Sequence, residues 1–217
     1  MRDRYDKELE QLTADLNDMG AMTLDIVTNV MECLENRDNG KIEEINASLT
    51  EISRFERTIE NNCMRLIMRQ QPIASDLRRI RSAMFMIYDM ERIGIQSAEI
   101  AEMLDYVVSH PLRSDDVIMR LGSSSVQMVS DSILACRNQN EKEAMDVIYY
   151  DDVVDNLFEE AKKSLIGTIQ DGGADAESCL DMLMIAKYFE RIADHAESLA
   201  DWVYFSRTGE HYKHRTQ

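Results

Sequence analysis

The chain has 217 residues, enough for one domain or two small ones. Eight glycines and two prolines are too few for a turn-rich chain, which excludes an all-β sandwich or a Pro/Gly-rich linker. A net charge of −17 with 44% hydrophobic residues permits a packed core. The same charge disfavours binding to nucleic acid or an anionic membrane and leaves metal ions and basic protein surfaces as partners.

The N-terminus, Met1-Arg2-Asp3-Arg4-Tyr5-Asp6, lacks the apolar stretch of a signal peptide, and no apolar run approaches the roughly 18 residues of a membrane span. A cytoplasmic chain is expected. Cys33, Cys63, Cys136 and Cys179 are scattered and read as small core residues in a reducing compartment.

Every long segment reads as helix. Breakers at Asn39-Gly40, Pro72, Pro111, Asn138-Gln139-Asn140 and Gly172-Gly173 predict six helices, over 5–38, 41–70, 75–108, 114–137, 141–170 and 176–206. Ser75, Ser114 and Asp175 supply N-terminal start signals. In the fifth helix, Ala144, Val147, Asp151, Val154, Phe158, Ala161 and Leu165 step by threes and fours. In the sixth, Met182, Ala186, Phe189, Ala193, Ala196, Ala200 and Val203 do the same. This is the seam of antiparallel bundles crossing at shallow angles. The many methionines are expected to fill gaps in such seams.

The two halves repeat. Met90-Glu91-Arg92-Ile93-Gly94 aligns with Phe189-Glu190-Arg191-Ile192-Ala193, and Ile100-Ala101-Glu102 with Leu199-Ala200-Asp201. Leu34-Glu35-Asn36-Arg37 aligns with Cys136-Arg137-Asn138-Gln139, and Ile42, Ile45 and Ile52 align with Ala144, Val147 and Val154. The expected fold is all-α: two pseudo-symmetric antiparallel three-helix bundles in tandem. Residues 1–110 form the first repeat, and 111–217 the second with a polar C-terminal tail.

The chemistry concentrates in carboxylates. Glu190, Asp194, Glu197 and Asp201, at i, i+4, i+7 and i+11, line one flank of the last seam. Asp151 occupies a seam position of the fifth helix, with Asp155 one turn on, and both are expected to be buried. Buried carboxylates must be protonated, paired or bound to metal. The all-oxygen set Asp151, Asp155, Glu190 and Asp194 suits magnesium, manganese or iron better than copper. Spacing alone leaves open a plain bundle edge neutralised by Lys and Arg, and Lys187 and Arg191 stand close by.

No Glu-x-x-His, P-loop, G-x-S-x-G or H-E-x-x-H occurs. His195 reads as a half-exposed surface residue, with a ligand or supporting hydrogen-bond role as the alternative. His211 and His214 fall in a tail expected to fray. No nucleophile has a visible base, so an enzyme is not expected.

Gln70-Gln71-Pro72-Ile73-Ala74-Ser75-Asp76-Leu77-Arg78 resembles the opening of the third helix in the PhoU family of phosphate-transport regulators. Glu91-Arg92-Ile93-Gly94 and Glu190-Arg191-Ile192-Ala193-Asp194 resemble that family's paired "ERIgD" helices. Asp151-Asp152-Val153-Val154-Asp155 resembles its "DxxVD" helix, and Met19-Gly20 its first-helix pair. The resemblance spans about residues 5–206. It implies a cytoplasmic homodimer that contacts the ATPase subunit of the phosphate ABC transporter and the phosphate sensor histidine kinase. It also implies repression of phosphate uptake when phosphate is plentiful, and divalent metal (iron, manganese, magnesium or zinc) on the paired acidic motifs.

The first half departs from that pattern. Leu49 stands opposite Asp151, Ser53 opposite Asp155 and Ile95 opposite Asp194, which leaves Glu91 alone. Metal is therefore expected at the second repeat only, on Asp151, Asp155, Glu190 and Asp194, with Glu197, Asp201 and Glu91 as weaker candidates. The rival functions are a metal-storing or metal-sensing bundle and, less favoured, a metal-dependent phosphohydrolase. The phosphohydrolase lacks an Arg cluster or base beside the acidic site.

Overall fold

The computed structural model describes residues 2–70, 72–110, 116–172 and 176–212. Six helices account for nearly all of them: α1 (Arg2–Asn36), α2 (Ile42–Gln70), α3 (Ala74–Ser109), α4 (Asp116–Asn138), α5 (Glu141–Gln170) and α6 (Ala176–Thr208). Among the described residues there is no strand, so the fold is all-α as read. Gln71, Pro111, Ser114, Gly173, Asp175 and His214 lie outside the described residues.

One predicted start is corrected. Ser75 does not cap α3; Ile73 takes that position with an extended backbone and no side-chain cap. Its carbonyl already accepts from the Leu77 amide at 2.9 Å, so the helical ladder runs past Ser75. At α5 the cap follows the chemistry of the residue. Asn140 Oδ1 accepts the amides of Lys142 at 3.0 Å and Glu143 at 3.4 Å, filling two donors the helix leaves open.

Within each half the three helices touch one another, and α3 against α6 and α1 against α4 join the halves. The outer helices α2 and α5 touch only helices of their own half. One continuous hydrophobic core runs through the bundle. All seven α6 seam residues are buried, as are Ala144, Val147, Val154, Ala161 and Leu165 of α5. Asp151 is only half-buried and Asp155 is exposed, against the expectation of burial. The reason is the outer position of α5, which covers a narrower arc than a central helix. Methionine is likewise divided. Met19, Met86, Met90, Met128 and Met182 fill the core, whereas Met64, Met68 and Met184 are exposed. The four cysteines are free and buried, as expected.

The halves repeat in backbone detail. The α1–α2 and α4–α5 turns each carry a left-handed residue, Arg37 (φ 51°) and Gln139 (φ 50°), 102 positions apart. In each, the next amide returns to the preceding helix: Asp38 to the Cys33 carbonyl at 2.9 Å, and Asn140 to the Ala135 carbonyl at 3.1 Å. The left-handed residue is thus not Gly40 or an asparagine, although the breakers located both turns. The same shift relates Gly20 to Gly122, where α1 and α4 cross. A Cβ on Gly20 would meet Ile133 and Met90; a Cβ on Gly122 would meet Met31 and Phe189, their counterparts in the other half.

Candidate metal centre

The site is built by two helices, each presenting carboxylates one turn apart. α5 presents Asp151 and Asp155, and α6 presents Glu190 and Asp194. Carboxylate oxygens of Asp151, Asp155 and Asp194 all lie within 4.8 Å of one another. Among the described residues this is the one place where three such ligand atoms converge. Like charges this close repel unless a proton or cation intervenes. Partial loss of water, then the charge of Glu190, push the Asp194 carboxyl up to about 6; Asp155 adds to the rise, and Lys187 and His195 oppose it. The donor set is all oxygen, with Asp151 half-buried and Asp155 and Asp194 exposed, which suits a hard divalent ion.

The fourth predicted residue is placed differently. Glu190 is held by Lys187, whose Nζ lies 2.6 and 2.5 Å from its two oxygens. The same ammonium sits 5.1 Å over the Phe158 ring. Glu190 thus borders the three aspartates with its carboxylate held by Lys187. Glu197, one turn beyond Asp194, is half-buried and outside the converging group. Asp201 is taken up by the tail: Tyr212 donates its amide to Oδ1 at 2.6 Å, and His211 Nδ1 lies 2.5 Å from Oδ2. His211 also stacks on Phe205, with centroids 4.5 Å apart. The tail is therefore packed as far as Tyr212, where fraying was expected.

His195 lies outside the converging group. Its Nδ1 is committed to the Asp89 carboxylate on α3 at 2.9 Å, and its side chain is mostly buried rather than half-exposed. Ser198 donates to the other Asp89 oxygen at 2.7 Å. Asp89, buried between the two halves, was not singled out in the sequence. The detectable signal was its place on the face that holds Met86, Ile93 and Met90.

In the first repeat the equivalent positions form no such group. Leu49, Ser53 and Ile95 are half-buried, and Leu49 packs toward Gly94. Glu91 lies near Glu56, whose carboxyl is raised by burial and then by the Glu91 charge.

The fold and its acidic edge define a two-repeat helical bundle with a carboxylate centre in one repeat. The profile of the PhoU domain matches this chain twice, over residues 16–104 and 118–203. The chain belongs to the PhoU domain family. It is 31% identical over 217 residues to the "Phosphate-specific transport system accessory protein PhoU homolog" of Zymomonas mobilis, covering 98% of this chain and 90% of that one. A protein of the same name from Clostridium acetobutylicum is 29% identical, with 94% of each chain covered. The crystal structure of PhoU from Pseudomonas aeruginosa superimposes with a TM-score of 0.90 at 28% identity, covering 95% of this chain and all of that one. The phosphate transport system regulatory protein PhoU from Streptococcus pneumoniae, at 24% identity and a TM-score of 0.88, shares the fold.

Proposed function

We propose that this chain is a non-enzymatic accessory of phosphate uptake. It restrains the phosphate ABC transporter and the phosphate regulon when phosphate is plentiful. It acts by contact with the transporter's ATPase subunit and with a phosphate sensor histidine kinase, as a cytoplasmic homodimer. The observation that carries this reading is similarity over almost the whole chain to proteins named phosphate-specific transport system accessory proteins. Among the described residues no helix is long and apolar enough to cross a membrane, which suits a protein acting through partners. Burial pushes the thiols of Cys63 and Cys136 up to about 12, too high for thiolate nucleophiles, which suits a non-catalytic role.

Asp151, Asp155 and Asp194 would hold a divalent ion, with Glu190 released from Lys187 as a further oxygen donor. The ion would neutralise the acidic edge and stiffen the α5–α6 pair. Deleting the gene should raise phosphate uptake and regulon expression in phosphate-rich medium. Unchanged uptake and expression would overturn the regulatory reading.

The convergence of three aspartates favours a second reading, a bundle that stores or senses metal. Partner contacts that respond to metal and ignore phosphate would select it.

A further inference from the structure

The turn shared by the two repeats leads to a groove. In the first repeat, Lys41 at the start of α2 reaches across to α1. Its Nζ donates to Asn29 Oδ1 at 2.9 Å and to Glu32 Oε2 at 2.6 Å. The shift of 102 positions carries Asn29 to Asp131, Glu32 to Leu134, Lys41 to Glu143 and Glu44 to Asp146. The lysine that bridges the first pair of helices is therefore a glutamate in the second.

The result is a groove of about 330 Å³ between α4 and α5. Its floor is the buried pair Met128 and Val147, and Leu134 and Tyr150 stand exposed beside it. Asp131, Glu143 and Asp146 line the same groove. Asp131 accepts the Gln127 side-chain amide at 2.9 Å, and Glu143 accepts the Asn138 amide at 3.3 and 3.0 Å. Among the described residues no lysine or arginine pairs with any of the three. An apolar floor ringed by uncompensated carboxylates is complementary to a cation carried on an apolar stem or beside an apolar neighbour.

We propose that this groove docks a basic amphipathic segment of a partner protein. One lysine or arginine occupies the place Lys41 fills in the first repeat, and an adjacent apolar side chain rests on Met128 and Val147. The first repeat serves as the internal template: there the chain supplies its own cation, and here the partner does. The net charge of −17 steers such a segment toward the surface, and the groove fixes where it lands. The proposal stands apart from the phosphate reading, since it concerns only the chemistry of the partner segment.

The test uses the full chain and a fluorescent helical peptide of leucine and lysine, read by anisotropy at physiological salt. The variant Glu143→Lys supplies the missing internal cation, and Glu143→Lys with Leu134→Glu rebuilds the Lys41–Glu32 bridge in a form the fold already accommodates. Glu10→Lys, on exposed α1 surface, makes the same charge change elsewhere. Binding to the unaltered chain is expected, with affinity falling about tenfold or more in both Glu143 variants and little changed in Glu10→Lys. Equal losses in all variants would reduce the binding to bulk charge and overturn the proposal; so would no binding at all. If Glu143→Lys instead dissociates a dimer and leaves peptide binding intact, the groove belongs to a second copy and the proposal fails.

Discussion

Ser198 on α6 donates its hydroxyl to the buried Asp89 carboxylate on α3 at 2.7 Å. The repeat turns this pair over. Shifted by 99 positions and with the helices exchanged, it becomes Tyr188 on α6 and Glu99 on α3, where the phenol donates at 3.0 Å. These two polar bridges, each anchored by a carboxylate of α3, cross the interface that joins the halves most extensively; a third, from the Tyr106 hydroxyl of α3 to Glu177 of α6 at 3.1 Å, has its carboxylate on α6. The Asp89 carboxylate is buried and also engages His195, whereas Glu99 is half-buried and accepts from Tyr188.

That difference sets the first prediction. Asp89→Ala takes the shared buried acceptor from the half-buried Ser198 and His195 and should cost about 2 kcal/mol, whereas Tyr188→Phe loses a single hydrogen bond, about 1 kcal/mol. Urea unfolding of both variants measures the contrast.

A second prediction concerns pH. The folded Asp194 carboxyl titrates at about 6, above its ordinary value of 3.8. Between those values the folded chain binds more protons than the unfolded chain, so the contribution of this group to stability falls as pH rises. The penalty is absent below about pH 4 and complete above about pH 6. In chelator, Asp194→Asn should melt higher than the unaltered protein at neutral pH and show no gain near pH 4. Thermal melts across that range decide it.

The third prediction separates the two repeats by their metal. After dialysis against manganese, the unaltered chain and Glu91→Gln should retain the ion, and Asp155→Asn should lose it. Glu91 and the neighbouring Glu56, among Leu49, Ser53 and Ile95, offer too few oxygens to replace water around a hard cation. Apo Asp155→Asn should stay folded, since removing one crowded charge changes stability by only a few tenths of a kcal/mol. Elemental analysis gives the answer; loss of metal from Glu91→Gln alone would move the site to the first repeat.

The fourth prediction uses two helical glycines. A Cβ on Gly122 would come within 2.6 Å of Met31 Sδ and 3.0 Å of the buried Phe189 ring, so Gly122→Ala should destabilise by about 1–3 kcal/mol through overpacking. Gly167, in α5, has nothing within 4 Å of such an atom. There the same change should stabilise by about 0.5–1 kcal/mol from helix propensity. Denaturant midpoints of the two variants should move in opposite directions.

The helices were legible because their seams are long and their breakers few. The period of α6 located all seven of its buried seam residues, and Asp151, Asp155 and Asp194 were named from spacing and converge. Spacing could not show that α5 is an outer helix, so the depth of Asp151 and Asp155 was overread. Nor could it show that Asp201 is claimed by His211 and Tyr212, because that contact depends on where a tail turns. Asp89 was missed because its partners lie more than a hundred positions away, on a helix from the other repeat.

The order in which the chain is made gives the α3–α6 interface a further meaning. α3 leaves the ribosome with α1 and α2, but α6, which covers more of it than either, is the last of the six to be synthesised. Until α6 has been made the nascent chain therefore carries an uncovered apolar stripe, a target for chaperones and proteases alike. Chains stalled on the ribosome should be cut within α3 at every length short of Thr208 and become resistant once that residue has emerged. Quality control of this pair of helices is thus exercised once α6 has been made, however early the first repeat is complete.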